Sequence, residues 1–342
     1  MNKLKIAIHH DEKSFSKAWI DYCNRNNIDY KLVNAYSNDI INKVGDCDIF
    51  MWHWHHNDYK AQLFARQLLY SLELKGLKVF PNFHTAWFFD DKIGQKYLLE
   101  SIDAPFVKTY IFYEKELALN FLRNYSYPIV AKLKNGAGSS NVKLIKNYKE
   151  GKKYIKKAFT KGFSYYRWSN FQDKIKFFQE KKTLKNFLNI FKGFIRGIIP
   201  NHVFLNLPIE RNYVYFQEFI PDNSYDIRII VIGNKAFGIK RFVRKNDFRA
   251  SGSGKISYDP KEIPTECVQI AFEINKKIKS QCTSFDFILK KNKPLIVEIS
   301  YGFAQEVYRK CPGYWDEKIY WHKNNSNEFI PEYFIIEDII YG

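Results

Sequence analysis

Hydrophobic positions in the first 85 residues alternate between a strand-like and a helix-like spacing. Leu4, Ile6 and Ile8 recur at every second position, which is typical of a strand, and residues 14–26 follow the spacing of an amphipathic helix. The same reasoning predicts the later elements of this region, which are strands at 29–33, 48–54 and 78–82 and a helix at 59–75. Because strands and helices alternate, we expect an α/β unit with an open, mostly parallel sheet over residues 1–85.

A glycine-rich loop between two apolar segments marks the next part of the chain. After a helix predicted at 90–102, residues 130–145 read VAKLKNGAGSSNVKLI, and Val142, Leu144 and Ile145 resume a strand-like pattern after the loop. A phosphate-binding P-loop or a Rossmann turn would require a helix at that point. We therefore expect a β-hairpin with a long tip. The simpler interpretation, a surface turn, stays open because turn residues are common.

From residue 213 the pattern becomes that of antiparallel strands with one helix between them. The Gly-Asn pair at 233–234 is typical of a tight hairpin, and a helix is predicted at 261–280. Two further apolar strands, SFDFILKK and PLIVEISY, follow this helix. Between the hairpin and these strands, residues 160–205 are aromatic, basic and largely helical in their spacing.

Composition limits the classes of protein to which the chain can belong. With 342 residues it is long enough for two or three folded units, and no apolar stretch of about 18 residues predicts a membrane-spanning helix. The five cysteines show no metal-binding spacing and the amino terminus resembles no secretory signal, which predicts reduced thiols in a cytoplasmic protein.

The net charge of +18 invites the hypothesis of a nucleic-acid or membrane partner. However, the lysines are spread along the whole chain, and A/T-rich codons would account for the abundance of Lys, Asn, Ile, Phe and Tyr together. We therefore expect no specific binding of nucleic acid.

Polar residues within apolar strands are the first candidates for chemistry. Lys132 ends a predicted strand, where its ammonium can face a phosphate, and the strand YFQEFI is apolar except for Gln217 and Glu218. A carboxylate at a strand end beside exposed backbone suits ribose hydroxyls and an adenine edge. Three arginines follow on or beside adjacent predicted strands: Arg228, Arg241 and Arg249.

Two acids, Asp286 and Glu298, lie on successive apolar strands without an obvious structural partner. A buried carboxylate is costly unless it is paired or binds a metal. Two interpretations stay open. Both acids form ion pairs with lysines, or both supply oxygen ligands to Mg²⁺, which uses carboxylates together with substrate phosphates.

Taken in order, these residues resemble those of the ATP-grasp enzymes, in the branch of the glutathione-synthetase-like and ribosomal-protein glutamate ligases. The matching stretches, between about 90 and 300, read DDKIGQKYLLE, PIVAKLKNGAGSSNVKLI, FQEFIPDNSYDIRIIVIGNKAFGIKRFVRKNDFRASG and SFDFILKKNKPLIVEIS. The resemblance implies an ATP-grasp fold with α+β lobes that follows an open α/β domain. It divides the chain into an N-terminal domain (1–85), a linker helix and small lobe with an insertion at about 160–205 (86–220), and a large lobe (221–342).

The resemblance also implies ATP and Mg²⁺ as cofactors and a role for each candidate residue. The glycine-rich hairpin would fold as a lid over the ATP phosphates, and the arginines would neutralise the γ-phosphate and an acyl phosphate. The implied nucleotide-binding residues are Lys92, Lys132, Gly136, Gly138, Ser139, Ser140, Gln217, Glu218 and Ile220. The implied metal ligands are Asp286, Glu298 and Ser300, and the implied catalytic residues are Arg228, Arg241 and Arg249.

Two positions depart from the family pattern. The family's metal motif usually reads Glu-x-Asn, whereas this chain has Glu298, Ile299 and Ser300, which leaves open whether one or two Mg²⁺ ions bind. Asn141 stands where a glycine is common in the lid. This second departure is mild because Asn tolerates positive φ better than most residues.

The implied reaction joins a carboxylate and an amine at the expense of ATP. The acid becomes an acyl phosphate, and the amine attacks it to give an amide, ADP and phosphate. Two alternatives stay open: a kinase of a small acceptor, and a catalytically weak protein that binds an anionic polymer. The segments EISYGF, CPGYWD and WH are also similar to ATP-grasp proteins associated with surface-polysaccharide gene clusters. This similarity implies either amidation of a sugar carboxylate or attachment of an amino acid to a sugar.

Residues 51–58, MWHWHHND, follow a predicted strand at its carboxyl end, where open α/β sheets bind ligands. One interpretation is a surface for a sugar or an amino acid, and the other is structural packing of the aromatic side chains; a metal site is less favoured. The residues concerned are Trp52, His53, Trp54, His55 and His56. The aromatic segment 308–325 is expected to close over the acceptor.

Residues 171–197 combine several phenylalanines with a local net charge of +5. In one interpretation the aromatic rings pack on the small lobe and the lysines face solvent. In the other, the segment forms a basic amphipathic surface that contacts an anionic membrane or polymer, with a strong dependence on salt.

Overall fold

The computed structural model describes residues 4–136, 141–164, 208–244, 247–250, 252 and 254–342, which form three β-sheets. The first sheet has the strand order β2-β1-β3-β4, and all its strands are parallel. The elements of this N-terminal region are β1 (Lys5–His9), α1 (Ser16–Arg25), β2 (Asp29–Val33), α2 (Ile40–Lys43), β3 (Ile49–Met51), α3 (Tyr59–Leu74), β4 (Lys78–Phe80) and α4 (Phe83–Trp87). The predicted parallel α/β sheet is confirmed.

The core of the N-terminal region is strongly aromatic, which changes the interpretation of the MWHWHHND segment. Strand β3 ends at Met51, three residues before the predicted end, and the chain continues as a loop. Trp52 and Trp54 are only 1% and 2% exposed and pack in the same core as Trp19. The interpretation as structural packing holds for Trp52, whereas Trp54 packs in the core and also lines the cavity described below.

The second sheet forms the small lobe and has the order β5-β8-β6-β7, with every pairing antiparallel. Its elements are α5 (Lys92–Ser101), β5 (Thr109–Phe112), α6 (Lys115–Arg123), β6 (Ile129–Lys132), β7 (Lys143–Ile145), α7 (Tyr148–Ala158) and β8 (Val214–Glu218). Ile129 pairs with Ile145, so the glycine-rich loop connects two antiparallel strands and the predicted hairpin is confirmed. Leu122 of α6 and Ile155 of α7 pack on one face of the sheet and bury it.

The third sheet forms the large lobe and has the order β13-β12-β9-β10-β14-β15, with β11 beside β10. Its elements are β9 (Tyr225–Ile232), β10 (Lys235–Phe242), β11 (Ile256–Ser257), a 3₁₀ turn (Pro260–Glu262), α8 (Thr265–Lys277), β12 (Cys282–Lys290), β13 (Lys293–Ser300), α9 (Gln305–Tyr308), β14 (Gly313–Asp316), β15 (Trp321–Lys323) and α10 (Pro331–Tyr341). The apolar face of α8 packs on the sheet through Val268, Ala271 and Ile274.

The predicted Gly-Asn hairpin is confirmed between β9 and β10, where Ile232 pairs with Lys235. Gly233 has φ +51°, and a Cβ atom at this position would lie 2.2 Å from the Asp338 carboxylate of α10. Glycine is therefore required both by the turn and by the close approach of the last helix.

An irregularity in the pairing of β12 with β13 positions two acids. Asp286 pairs with Glu298, while the next residue, Phe287, pairs with Ile296, so Val297 is an extra residue in β13. A bulge of this kind bends the strand and re-aims its side chains. It places the two carboxylates on adjacent strands at the same level of the sheet.

Within the described ranges, no helix combines the length and the apolar character needed to cross a bilayer. All five cysteines are buried and unpaired, as predicted. Residues 171–197 lie outside the described residues, so both interpretations of that segment stay predictions.

Candidate active site

A cavity of about 1160 Å³ is lined by residues of the second and third sheets and by loops of the N-terminal region. The predicted site residues in its wall are Lys132, Gly136, Gln217, Glu218, Ile220, Arg228, Arg249, Asp286, Glu298 and Ser300. Lys92 and Arg241 are not part of the wall, but each bonds to a residue that is. Gly138, Ser139 and Ser140 lie outside the described residues.

Lys132 brings a buried ammonium to the cavity from the end of β6. The residue is 5% exposed, and its side chain has no hydrogen bond or ion pair with the described residues. Burial lowers its pKa to about 8, against the opposing effect of Glu298 and Asp286. A buried cation without a partner is costly. An anionic ligand in the cavity would supply that partner.

Lys92 ties the glycine-rich loop to the strand that carries Glu298. It is the first residue of α5 and is 4% exposed. Its ammonium donates to the Gly136 carbonyl at 2.7 Å and lies 2.9 Å from the Glu298 carboxylate. The Gly136 amide in turn donates to Asp90 at 2.7 Å, and burial raises the pKa of Asp90 to about 6. The base of the loop is therefore fixed by two side chains.

The end of β8 offers polar edges beside an apolar wall. The Gln217 amide nitrogen donates to the Val297 carbonyl at 3.4 Å, and Glu218 forms an ion pair with Lys290 at 2.6 Å. Ile220 is 8% exposed. Other apolar residues of the cavity wall are Val130, Ile288 and Ile299. Apolar walls with a few fixed polar groups suit a nucleobase.

Asp286 is held by two arginines. Arg228 Nε and Nη2 donate to its two oxygens at 2.5 and 2.6 Å, and Arg241 Nη2 lies 3.0 Å from Oδ1. Arg241 also forms a two-bond pair with Asp226, at 2.6 and 2.7 Å. The arginines hold the pKa of Asp286 well below its usual range. The expectation that Asp286 lacks a structural partner is wrong, because β9 lies between β12 and β10 and places Arg228 opposite Asp286.

The other predicted arginine is paired as well. Arg249 Nη2 lies 2.7 Å from Asp247 Oδ2, and both residues line the cavity. Arg228, Arg241 and Arg249 therefore each form an ion pair with an aspartate. Their predicted contact with a phosphate stays a proposal.

Glu298 and Asp286 offer the oxygen atoms that Mg²⁺ prefers. The interpretation as ion pairs with lysines holds for Glu298, which contacts Lys92, and not for Asp286, which contacts arginines. The Ser300 hydroxyl accepts a hydrogen bond from the Gly302 amide at 3.2 Å. The described residues contain no group of three or more His, Cys, Asp or Glu side chains arranged for a metal. The donor set therefore fits Mg²⁺ held jointly by carboxylates and phosphates, and does not form an all-protein cage.

The loop after β3 also lines the cavity. His53, His55 and His56 all border the cavity, together with Phe89 and the residues that follow β13. His53 stacks on Phe15 with ring centroids 3.7 Å apart. The segment 308–325 adds β14 and β15 to the large sheet, and none of its residues lines the cavity. The expectation that it closes over an acceptor is therefore wrong.

Three aspartates that matter for the geometry were not predicted: Asp90, Asp226 and Asp247, the last of which anchors Arg249. Asp226 anchors Arg241, and its position two residues before Arg228 on one strand was an available signal, since such residues share a face of the sheet. Asp90, which accepts from the glycine-rich loop, lies in a turn after α4, and its sequence context gives no comparable signal.

Comparisons with known proteins agree with this geometry. Residues 202–310 match the family model described as RimK-like ATP-grasp domain. No protein of curated function matches the sequence. The RimK domain ATP-grasp protein of Sphaerobacter thermophilus is 15% identical with a TM-score of 0.53, over 90% of this chain and 95% of that one.

Two further solved structures contain nucleotides. The D-alanine–D-alanine ligase of Bacillus anthracis complexed with ATP is 14% identical with a TM-score of 0.54, over 91% of this chain and 90% of that one. The biotin carboxylase domain of 2-oxoglutarate carboxylase from Hydrogenobacter thermophilus, in complex with MgADP, ADP and bicarbonate, is 11% identical with a TM-score of 0.59, over 99% of this chain and 70% of that one.

The chain has an ATP-grasp fold. The predicted superfamily and fold are confirmed by the family model and by the structural neighbours. ATP and Mg²⁺ are typical ligands of this ATP-grasp fold, and the two nucleotide complexes show them in relatives. The predicted division at residues 85 and 220 stays a prediction.

Proposed function

We propose that this ATP-grasp protein is an ATP-dependent ligase that joins a carboxylate to an amine. The observation that carries the proposal is the ammonium of Lys132, which has no ion pair with the described residues and is buried in the same cavity wall as the carboxylates of Asp286 and Glu298. This arrangement supplies a cation for a phosphate and oxygen ligands for Mg²⁺, which would neutralise phosphate charge. The ligases among proteins of the same fold support the reaction class.

In the proposed reaction, an oxygen of the substrate carboxylate attacks the γ-phosphorus of ATP, and the bond to the bridging oxygen breaks to release ADP. The nitrogen lone pair of the amine then attacks the carbonyl carbon of the acyl phosphate. Inorganic phosphate leaves and the nitrogen loses a proton, which gives the amide. Both steps spread negative charge over oxygens, so fixed positive groups are the main source of catalysis.

The residues of the chain divide this work. Lys132 binds phosphate oxygens, and Lys92 keeps the glycine-rich hairpin close to Glu298. Arg228 is presented to the cavity by its fixed pair with Asp286 and stabilises charge on the transferred phosphoryl group. Gln217 and Glu218 bind the edge of the nucleoside.

We further propose a small-molecule or saccharide substrate, in keeping with the predicted role in surface-polysaccharide biosynthesis. The size of the cavity, about 1160 Å³, is sufficient for ATP together with such a substrate.

The test is ADP release in the presence of Mg²⁺ across a matrix of carboxylates and amines, with mass spectrometry of the products. Lys132→Ala and Glu298→Gln should each abolish ADP formation without loss of the folded state, because a phosphate or metal contact contributes several kcal/mol to the transition state. Activity within tenfold of wild type in either variant would remove the ligase proposal.

Trapping tests the acyl phosphate. Hydroxylamine should convert the activated acid into a hydroxamate when ATP, Mg²⁺ and the correct acid are present. ADP release with a single acceptor and no need for an amine would instead indicate a kinase.

A further inference from the structure

The cavity wall also contains a cluster that the ligase chemistry does not use. We call it the histidine subsite, and it comprises His53, His55, His56, Gly302 and Gln305. Its two halves come from the loop after β3 and from the chain that follows β13. The hydroxyl of Tyr301 donates to the Trp54 carbonyl at 3.2 Å, which fastens these halves together.

His53 is a rigid, uncharged ring in this wall. It is 8% exposed, lies flat against Phe15 and meets Tyr301 edge-on. Burial lowers its pKa to about 3, so its imidazole is neutral at physiological pH. Its Nδ1 has no hydrogen-bond partner among the described residues. A neutral imidazole has one donor and one acceptor, and a ring fixed by packing presents them in one orientation.

The neighbouring histidines are uncharged as well. His55 and His56 lie with ring centroids 3.9 Å apart, and burial lowers the pKa of both, that of His56 to about 3. His55 Nδ1 accepts from the Asn57 amide, which leaves the proton on Nε2. Gln305, whose side-chain nitrogen has no partner in the described part of the chain, adds a neutral amide to the same wall.

Gly302 leaves His53 open to the cavity. A Cβ at position 302 would lie 3.5 Å from His53 Nε2 and 3.6 Å from the Phe89 ring. These are ordinary contact distances, so a small side chain fits without strain. It would nevertheless cover the ring nitrogen that faces a ligand.

The charges of the cavity argue against an additional carboxylate on the substrate. Its described wall contains nine acidic side chains and four basic ones, and both arginines among the latter are paired with aspartates. Five of the acids form ion pairs with Arg or Lys, and the other four are Glu12, Asp90, Asp222 and Glu306. The acids are Glu12, Asp90, Glu218, Asp222, Asp226, Asp247, Asp286, Glu298 and Glu306, and the bases are Lys13, Lys132, Arg228 and Arg249. A protonated amine is attracted to such a wall, whereas a second carboxylate would be desolvated against neutral rings.

We propose that the histidine subsite binds hydroxyl or amide groups of the acceptor, and that the acceptor is an amine without a carboxylate of its own, such as an amino sugar. The inference rests on the proposed ligase function and decides between the two ligand classes, sugar and amino acid, suggested by the sequence. Neutral imidazoles and an amide recognise hydroxyls by direct hydrogen bonds: His55 can donate from Nε2, His53 presents Nε2, and the Gln305 amide has both donor and acceptor atoms.

The test uses ligand-observed NMR on the full chain saturated with Mg²⁺ and a non-hydrolysable ATP analogue. Glucosamine should bind in a saturable manner, whereas alanine and glutamate should not. Gly302→Ala should weaken glucosamine binding at least threefold and Gly302→Val at least tenfold. Gly94→Ala is the matched control, because its Cβ would make similar contacts of 3.4–3.5 Å outside the cavity.

Binding of the ATP analogue in each variant shows that the fold and the nucleotide site are intact. Binding of alanine or glutamate in place of glucosamine, no binding of glucosamine, or glucosamine binding that is unchanged in Gly302→Val would each overturn the inference. If the ATP analogue itself does not bind to the wild-type chain, the proposed ligase function fails. This outcome differs from a failure of the subsite inference, in which the analogue binds and glucosamine does not.

Discussion

Arg228 and Asp286 form a two-bond ion pair across β9 and β12, with N–O distances of 2.5 and 2.6 Å. Both side chains are largely buried, at 22% and 14% exposure, and both line the cavity. The pair therefore serves two purposes. It stabilises adjacent strands of the large lobe, and it fixes the guanidinium that we propose to act on the phosphoryl group.

The first prediction concerns the stability that this pair provides. Arg228→Met leaves Asp286 with Arg241 alone, so the free energy of unfolding should fall by about 3 kcal/mol, as for other buried pairs that lose one partner. The double variant Arg228→Met with Asp286→Asn should recover part of this loss, because the buried charge is removed as well. Urea denaturation of these two variants and of the single variant Asp286→Asn measures the coupling.

Lys277→Met provides the control for this experiment, since it breaks the exposed pair with Glu273, whose N–O distance is 2.7 Å. Exposed pairs contribute about 0–1 kcal/mol. A loss in Arg228→Met no larger than in Lys277→Met would show that solvent screens Asp286, contrary to the structure.

Local patterns in the sequence predicted the helices and strands. The side-chain partners in the candidate site depend instead on long-range strand pairing. The hairpin at 130–145 was predictable because a strand-like spacing resumes at Val142. The partners of Asp286 were not, because they depend on β9 lying between β12 and β10, a strand order that no local spacing encodes.

The same limit explains why the sequence left the role of Trp52 and Trp54 open. A mixture of aromatic and polar residues after a strand is compatible both with a ligand surface and with a core, and burial decides between them. Here Tyr301 and Phe89 from distant parts of the chain cover Trp54. His53, Trp54, His55 and His56 nevertheless line the cavity, so the segment combines both roles.

The second prediction concerns the pH dependence of nucleotide affinity. Burial lowers the pKa of Lys132 to about 8 from an unfolded value of 10.5. Only the ammonium binds phosphate, so the affinity for a non-hydrolysable ATP analogue should fall by up to tenfold per pH unit as the pH rises above about 8. Isothermal titration between pH 7 and 9.5 measures this. Lys132→Arg, which keeps its charge, should remove the dependence, and an identical pH profile in this variant would refute the assignment to Lys132.

The lowered pKa of Lys132 also makes the stability of the fold depend on pH. Between pH 8 and 10.5 the unfolded chain binds more protons at Lys132 than the folded chain, so this residue makes folding more favourable as the pH rises. A bound nucleotide has the opposite effect on the pH dependence of stability, because its phosphates stabilise the protonated form of Lys132 in the folded chain.

The last prediction concerns Asp90, which holds the base of the glycine-rich loop. Burial raises the pKa of Asp90 to about 6, so folding is penalised once its carboxylate is ionised, and this residue lowers stability as the pH rises from about 4 to 6. Asp90→Asn keeps an oxygen that can accept from Gly136 and tolerates the positive φ of +51°. The variant should therefore be more stable at pH 7 by on the order of 1 kcal/mol, with no gain at pH 4. Thermal denaturation at both pH values provides the measurement. Equal gains at the two pH values would mean that the benefit comes from the backbone and not from the buried charge.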